Sequence, residues 1–216
     1  MRRNLPPVVA LLIALSRVTL AQSGGGASMV AAEAPTGALA GFAGQRVLVV
    51  PVQAFRADSG VTPSRATWDG MRRGFDDSLG AAIAATGIGK RWGYAAEVVQ
   101  YAKRNVMYAG DPYALGAQSL AGASLKVGDQ LPEMVASSLR PLIALGDTRL
   151  ALVPVYLQVE RYGVRERARL RLVLVDGRGS TVLWLGDVVG NAVSDGRDPE
   201  LFRSLVAQVA ALVAPR

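Results

Sequence analysis

Residues 149–160 read RLALVPVYLQVE, residues 164–176 read VRERARLRLVLVD and residues 180–189 read STVLWLGDVV. Each stretch is rich in valine and leucine, and short glycine-bearing turns separate them, so three successive antiparallel strands are predicted. With Tyr162-Gly163 as the first turn, Glu160 faces Arg165, Gln158 faces Arg167 and Tyr156 faces Arg169 on one side of the sheet. The other side is then apolar: Leu157 pairs with Ala168, Val155 with Leu170 and Val153 with Leu172, while Val159 meets Glu166 at the rim. With Gly177-Arg178 as the second turn, Leu172 falls opposite Leu183, Leu170 opposite Leu185, and Arg171 lies beside Trp184 on the outside. An arginine stacked on an indole suits an exposed sheet face.

Moving outward, the continuous apolar run from Arg46 to Val52 predicts a further, central strand covered on both faces, with Pro51 near its end where a missing N–H is tolerable. A loop is expected over Ala54 to Val61. Thr62-Pro63 then caps a helix in which Trp68, Met71, Phe75, Leu79, Ala82 and Ile83 recur at helical spacing until Gly87. A short helix is expected over Tyr94 to Arg104, and a helical turn from Asp111-Pro112 through Leu120. Pro132 opens a helix carrying Met134, Val135, Leu139, Leu142, Ile143 and Leu145, ended by Gly146. Asp198-Pro199 starts a last one with Leu201, Phe202, Leu205, Val206, Val209 and Leu212. The predicted fold is therefore α/β: a mixed sheet of one N-terminal strand plus a three-stranded antiparallel meander, packed with amphipathic helices.

The chain begins with Arg2 and Arg3, a short apolar core from Leu5 to Leu15, and small residues around Thr19-Leu20-Ala21. Residues 1–21 thus read as a secretory signal peptide, and its uncharged run falls short of the ~20 apolar residues that span a bilayer. An uncleaved anchor is the rival reading. Residues 22–44 are glycine- and alanine-rich and are expected to form a flexible leader, leaving residues 45–214 as a single α/β domain. A periplasmic or secreted location follows, with membrane contact only through the signal peptide.

The formal net charge of +7 includes Arg2, Arg3 and Arg17 of the expected signal peptide, so the remainder is mildly basic, about +4. Basic residues are scattered rather than gathered on one helix, and no nucleic-acid partner is expected. Neither cysteine nor histidine occurs. Their absence excludes disulfides, Ser-His-Asp and Cys-His catalysis, thiolate or imidazole zinc sites and a lipid-bearing cysteine. No calcium-loop pattern is present, and neither metal nor cofactor is expected. Gly87-Ile88-Gly89-Lys90 is not a phosphate loop, because Ala84 and Arg91 stand where that pattern needs glycine and serine or threonine.

Arg165, Arg167, Arg169 and Arg171 occupy alternate positions of one strand and form a basic ladder. With Trp184, that ladder is either a docking face for an acidic partner or a solvated face satisfied within the sheet by Glu160 and Gln158. Arg104-Asn105 and Asp111, in the least regular stretch, are candidate binding residues, with local helix capping as the plainer role. Asp58, with Arg56 and Ser59 nearby, lies where open α/β sheets place ligands and is the strongest enzyme candidate, although loop aspartates commonly form turns. No catalytic residue is assigned. Asp76 and Asp77, adjacent on a helix, make a poor acid/base pair and are expected to be solvated.

The segments 151–155 (ALVPV), 170–179 (LRLVLVDGRG) and 182–184 (VLW) resemble a hairpin pattern shared by three groups of envelope proteins. These are the amino-terminal domain of the Tol translocation protein B, the curli secretion lipoproteins and the penicillin-binding-protein activator lipoproteins. The resemblance spans Arg46 to Ala214 but finds no counterpart for Lys90 to Gly128 and no lipid-bearing cysteine, so tethering and pore formation are not implied. It implies an α/β domain that works without catalysis by contact with an envelope protein or cell-wall component. The alternative is an envelope enzyme or small-ligand binder using loop carboxylates at the end of the first strand.

Overall fold

The computed structural model describes residues 34–58, 65–88, 91–194 and 200–214. The expected signal peptide, the helix starts at Thr62-Pro63 and Asp198-Pro199, and Gly89-Lys90 lie outside the described residues. Strands β1 (Val47–Val49), β2 (Ala54–Ala57), β3 (Trp92–Gly93), β4 (Leu150–Tyr162), β5 (Arg165–Asp176) and β6 (Thr181–Val189) make one mixed sheet. Its order is β3-β1-β4-β5-β6, with β2 also on β4. β1 and β2 both run parallel to β4, whereas β4, β5 and β6 form the expected antiparallel meander.

The loop expected at Ala54 is thus a strand, because β1 and β2 are one line of chain interrupted at Pro51. The Val50 N–H still donates to the Leu152 carbonyl (3.1 Å) and the Gln53 N–H to the Pro154 carbonyl (3.0 Å). Pro154 itself has no N–H to give, and β4 absorbs an extra residue beside it: Pro154 pairs with Leu172, Tyr156 with Arg171, and Val155 is bulged between them. The bulge reverses the side-chain alternation. Leu150, Leu152 and Leu157 line one face, and Ala151, Val153, Val155 and Tyr156 the other. The expectation that Val153, Val155 and Leu157 share one apolar face is therefore corrected.

Helices α1 (Arg65–Ile83) and α4 (Glu200–Val213) cover the first face with Phe75, Leu79, Ile83, Leu201, Leu205 and Val209. Helices α2 (Ala95–Arg104) and α3 (Glu133–Leu145) cover the second with Val98, Val135, Leu139 and Leu142, helped by Leu120 from a 3-10 turn at Ala117–Ala121. That turn replaces the helix expected from Asp111 to Leu120, and Gly116, at φ +71°, starts it. Gly87 ends the α1 region in the left-handed conformation (φ +85°), as its position predicts. No helix among the described residues is long and apolar enough to cross a membrane.

Both hairpin registers differ from expectation. Gly163-Val164 is the first turn, with Gly163 at φ +63°, so Glu160 pairs with Arg167 and Gln158 with Arg169. Between the bulge and this turn the shift is two residues, which leaves the side chains there on their predicted faces, whereas before the bulge it is one and the faces are exchanged. The second connection is four residues long, because the Asp176 carboxylate accepts the backbone N–H groups of Arg178 (2.9 Å) and Gly179 (3.4 Å) and folds the turn onto itself. A bulge at Leu183 then places Trp184 opposite Leu174 and Asp187 opposite Arg171. Trp184 packs on the α1/α4 face, and the predicted Arg171–Trp184 stack is not formed.

The leader expected to be flexible to residue 44 packs from Ala34 onward; its residues 22–33 lie outside the described residues. Gly37 and Leu39 donate backbone hydrogen bonds to the Ala211 and Leu212 carbonyls at the end of α4 (3.0 and 2.9 Å), and the Leu39 side chain is fully buried in the core. Leu39→Ala is therefore expected to lower unfolding free energy by about 2–5 kcal/mol, the usual cost of such a core truncation. Chemical denaturation checks this, and an unchanged midpoint would show that the segment is not part of the domain.

Candidate functional site

Helices cover the second face of the sheet only as far as Tyr156. Beyond it the alternation of β4, β5 and β6 continues, but the side chains become polar and mostly charged: Gln158 and Glu160 on β4, Arg171, Arg169 and Arg167 on β5, Asp187 on β6. The arginines are joined by carboxylates. Arg167 Nε donates to Glu160 Oε1 (2.6 Å), and Arg169 donates through Nε and Nη2 to the two Glu160 oxygens (both 3.0 Å). Asp187 lies 3.5 Å from Arg169 and 3.4 Å from Arg171. Burial works against charge on Glu160, but hydrogen bonds from Arg169 and Arg167 outweigh it and hold the carboxyl below its ordinary range.

This lattice is not a freely solvated ladder. Arg169 and Arg171 are only 7 % and 4 % exposed, and Arg171 Nε is buried without a partner. Taking such charges out of water costs several kcal/mol per ion unless paired, so Asp187 and Glu160 are needed for the hairpin to close. Arg165 at the turn is exposed, and the Arg56 guanidinium stacks 4.2 Å over the Tyr156 ring. Among the described residues neither has a carboxylate partner, so the face carries surplus positive charge. Beyond it the hairpin tip exposes Tyr162 and Val164, the latter 98 % accessible.

Asp58 follows β2 and joins the edge of this face, its carboxylate accepting the Gln158 side-chain N–H (2.9 Å). The other predicted residues stay apart. Arg104 is exposed at the end of α2, and Asn105 closes that helix, its side chain donating to the Tyr101 carbonyl (2.9 Å). The Asp111 carboxylate accepts the Tyr113 N–H (3.0 Å) in a local turn. For Asn105 and Asp111 these are local capping and turn contacts. A surface groove of about 530 Å³ between α1 and α4, lined by Met71, Phe75, Phe202 and Val206 among others, holds none of the predicted residues. Among the described residues no group of three or more acidic side chains is placed to hold a metal ion.

A second polar cluster, missed from sequence, sits at the carboxyl end of β1. Asp76, expected to be solvated, is 5 % exposed, while its neighbour Asp77 is exposed. The helical stripe Arg72, Asp76, Leu79, Ile83 explains this and was readable, since these positions share one side of α1. Asp76 Oδ1 accepts the Val52 N–H (3.0 Å), and Oδ2 is buried without a partner. Arg72 stacks on Tyr113 at 3.9 Å, and Gln53 clamps the same loop by accepting from the Leu115 N–H (3.0 Å) and donating to the Pro112 carbonyl (2.9 Å).

No family model matches the chain, and no curated protein matches it. Solved structures to which it is similar include the PelC dodecamer from Paraburkholderia phytofirmans (16 % identity, 85 % of this chain and 95 % of that one, TM-score 0.39). Others are lipoprotein GNA1162 from Neisseria meningitidis (19 %, 76 % and 94 %, 0.39) and the LpoB C-terminal domain from Salmonella enterica (16 %, 70 % and 84 %, 0.36). At this level of likeness none of them assigns a ligand or a partner.

Burial pushes the Asp76 carboxyl up to about 7, against the opposing pull of the Val52 N–H and Arg72. An acid whose pKa is raised on folding binds its proton more tightly in the folded state, so stability is fullest below the unfolded pKa and declines as pH rises towards 7. The contribution of Asp76 to unfolding free energy is therefore expected to fall by about 2–4 kcal/mol between pH 4 and pH 8, against the opposite trend from Glu160 and Asp176. Asp76→Asn, which keeps the acceptor for Val52 but cannot ionise, should flatten most of that slope in denaturant titrations across pH. An equal slope in the variant would contradict the assignment.

Proposed function

We propose that the protein is a non-enzymatic module of the cell envelope, periplasmic or secreted, that binds a protein or cell-wall partner through the outer half of the β4–β5 hairpin. The observation that carries this reading is the pairing of a preorganised, net-positive lattice on the sheet with an exposed apolar tip. Glu160 and Asp187 fix Arg167, Arg169 and Arg171 in place, Arg165 and Arg56 remain without carboxylate partners among the described residues, and Tyr162 and Val164 project beyond them. Rigid cations beside an apolar anchor suit an acidic partner, since ordering costs are already met before binding. The secretory reading of residues 1–21 supplies the location, and the absence of cysteine and histidine supports binding over catalysis.

The test is crosslinking in cells from a photoreactive analogue placed at Val164, with Arg203 on α4 as the control position. Adducts are expected from the hairpin only, reduced about tenfold by Arg165→Glu with Arg167→Glu. Adducts of equal yield from α4, or yields that the charge reversal leaves unchanged, would overturn the proposal.

A further inference from the structure

At the other end of the same hairpin, where β1 and β4 begin, a cleft of about 320 Å³ opens between Arg46, Asp147, Thr148, Arg149 and Arg178. Its size is at the lower end for small-ligand sites. Three guanidinium groups line it, and a fourth, from Arg91, lies beside Gly44 on the adjoining turn. Their carboxylates are differently placed. Asp147, held at φ +47°, is exposed and paired with Arg46 at the mouth. Asp176 is almost fully buried and takes Nε and Nη2 of Arg149, while its other oxygen is occupied by the Arg178 and Gly179 N–H groups. Hydrogen bonding from Arg149 holds the Asp176 carboxyl below its usual range, so it anchors Arg149 as a fixed anion.

Arg149 is thus oriented by the edge that faces Asp176, while 62 % of its side chain remains accessible. Arg178 has its backbone tied down by the same aspartate, yet its guanidinium is exposed and has no carboxylate partner among the described residues. Two planar, fork-shaped donors therefore stand at the cleft with unused N–H groups, the Arg149 guanidinium held by Asp176 and that of Arg178 free to adjust from a fixed backbone, and the local balance of charge is positive. This donor geometry matches a tetrahedral or planar oxyanion, which accepts two parallel N–H bonds from each guanidinium.

We infer that this cleft is a binding site for a phosphate group, with Arg149 and Arg178 as its principal donors and Arg46 as the gate that exchanges Asp147 for the ligand. The site is separate from the charged hairpin face at the far end of β4 and β5, so either can fail without the other.

The test is titration of the ¹⁵N-labelled protein with inorganic phosphate at constant, low ionic strength balanced by chloride. Saturable shifts are expected at the amides of Thr148, Arg149 and Arg178, and Arg178→Ala should weaken binding about tenfold without changing thermal stability. Arg178→Lys should restore only part of the loss, because an ammonium cannot reproduce the fork. Vesicles of phosphatidylglycerol, against phosphatidylcholine alone, separate the sources. Sedimentation that Arg178→Ala abolishes assigns the site to phospholipid head groups, and phosphate saturation without sedimentation assigns it to soluble phosphate; both uphold the cleft. Absence of saturable shifts, or equal affinity in Arg178→Ala, would overturn it.

Discussion

Two prolines face each other across neighbouring parallel chains, Pro51 between β1 and β2 and Pro154 in β4, and neither can donate a ladder hydrogen bond. The sheet accommodates both at one level, by breaking the first strand in two and by bulging Val155 out of the second. Because side chains alternate with a period of two, one extra residue exchanges the faces for everything downstream. Without that exchange the even-numbered residues Gln158 and Glu160 would point under α1 and α4, and the leucine at 157 would point towards the arginines. The bulge is what lets one strand contribute Leu152 and Leu157 to the same core.

From this follows the division of the second face. Up to Tyr156 it is apolar and lies under α2 and α3; past it, β5 continues the same row of positions with Arg171, Arg169 and Arg167 where Val175 and Val173 stood before. Paired arginines contribute little net stability to such a surface and demand their partners in return. Their value lies in rigidity. Glu160 bridges two of them on the hairpin and Asp187 two across to β6, so the cations are fixed before any partner arrives. The aspartate at 176 plays the corresponding part at the opposite end, closing the second turn and orienting Arg149.

Much of this was legible in the sequence, and the parts that were not share a cause. Strand and helix positions follow from periodicity, and the stops at Gly87 and Gly146 from glycine placement. Between the bulge and the turn the β4–β5 register was off by two because an even slip preserves both faces, so the hydrophobic pattern cannot distinguish them. The bulges at Val155 and Leu183 depend on what each strand meets across the sheet, although Pro154 inside an apolar run was a local signal for the first. Strands β2 and β3 are too short to carry a pattern, and the packing of Leu39 rests on α4, far away in sequence. Arg169 and Arg171 read as surface residues because their carboxylate partners, Glu160 and Asp187, are identified only once the register is known. Asp76 was masked by its neighbour Asp77, and the α1 stripe that buries it was overlooked.

The central claim is the exchange of faces at Val155, since the shared core of Leu152 and Leu157 and the charged hairpin both assume it. Cross-strand nuclear Overhauser contacts between β4 and β5 read the register on each side of the bulge. The account predicts that Leu157 contacts Leu170 while Val153 contacts Val173. A continuous, bulge-free ladder that instead pairs Val153 with Leu174 would contradict it.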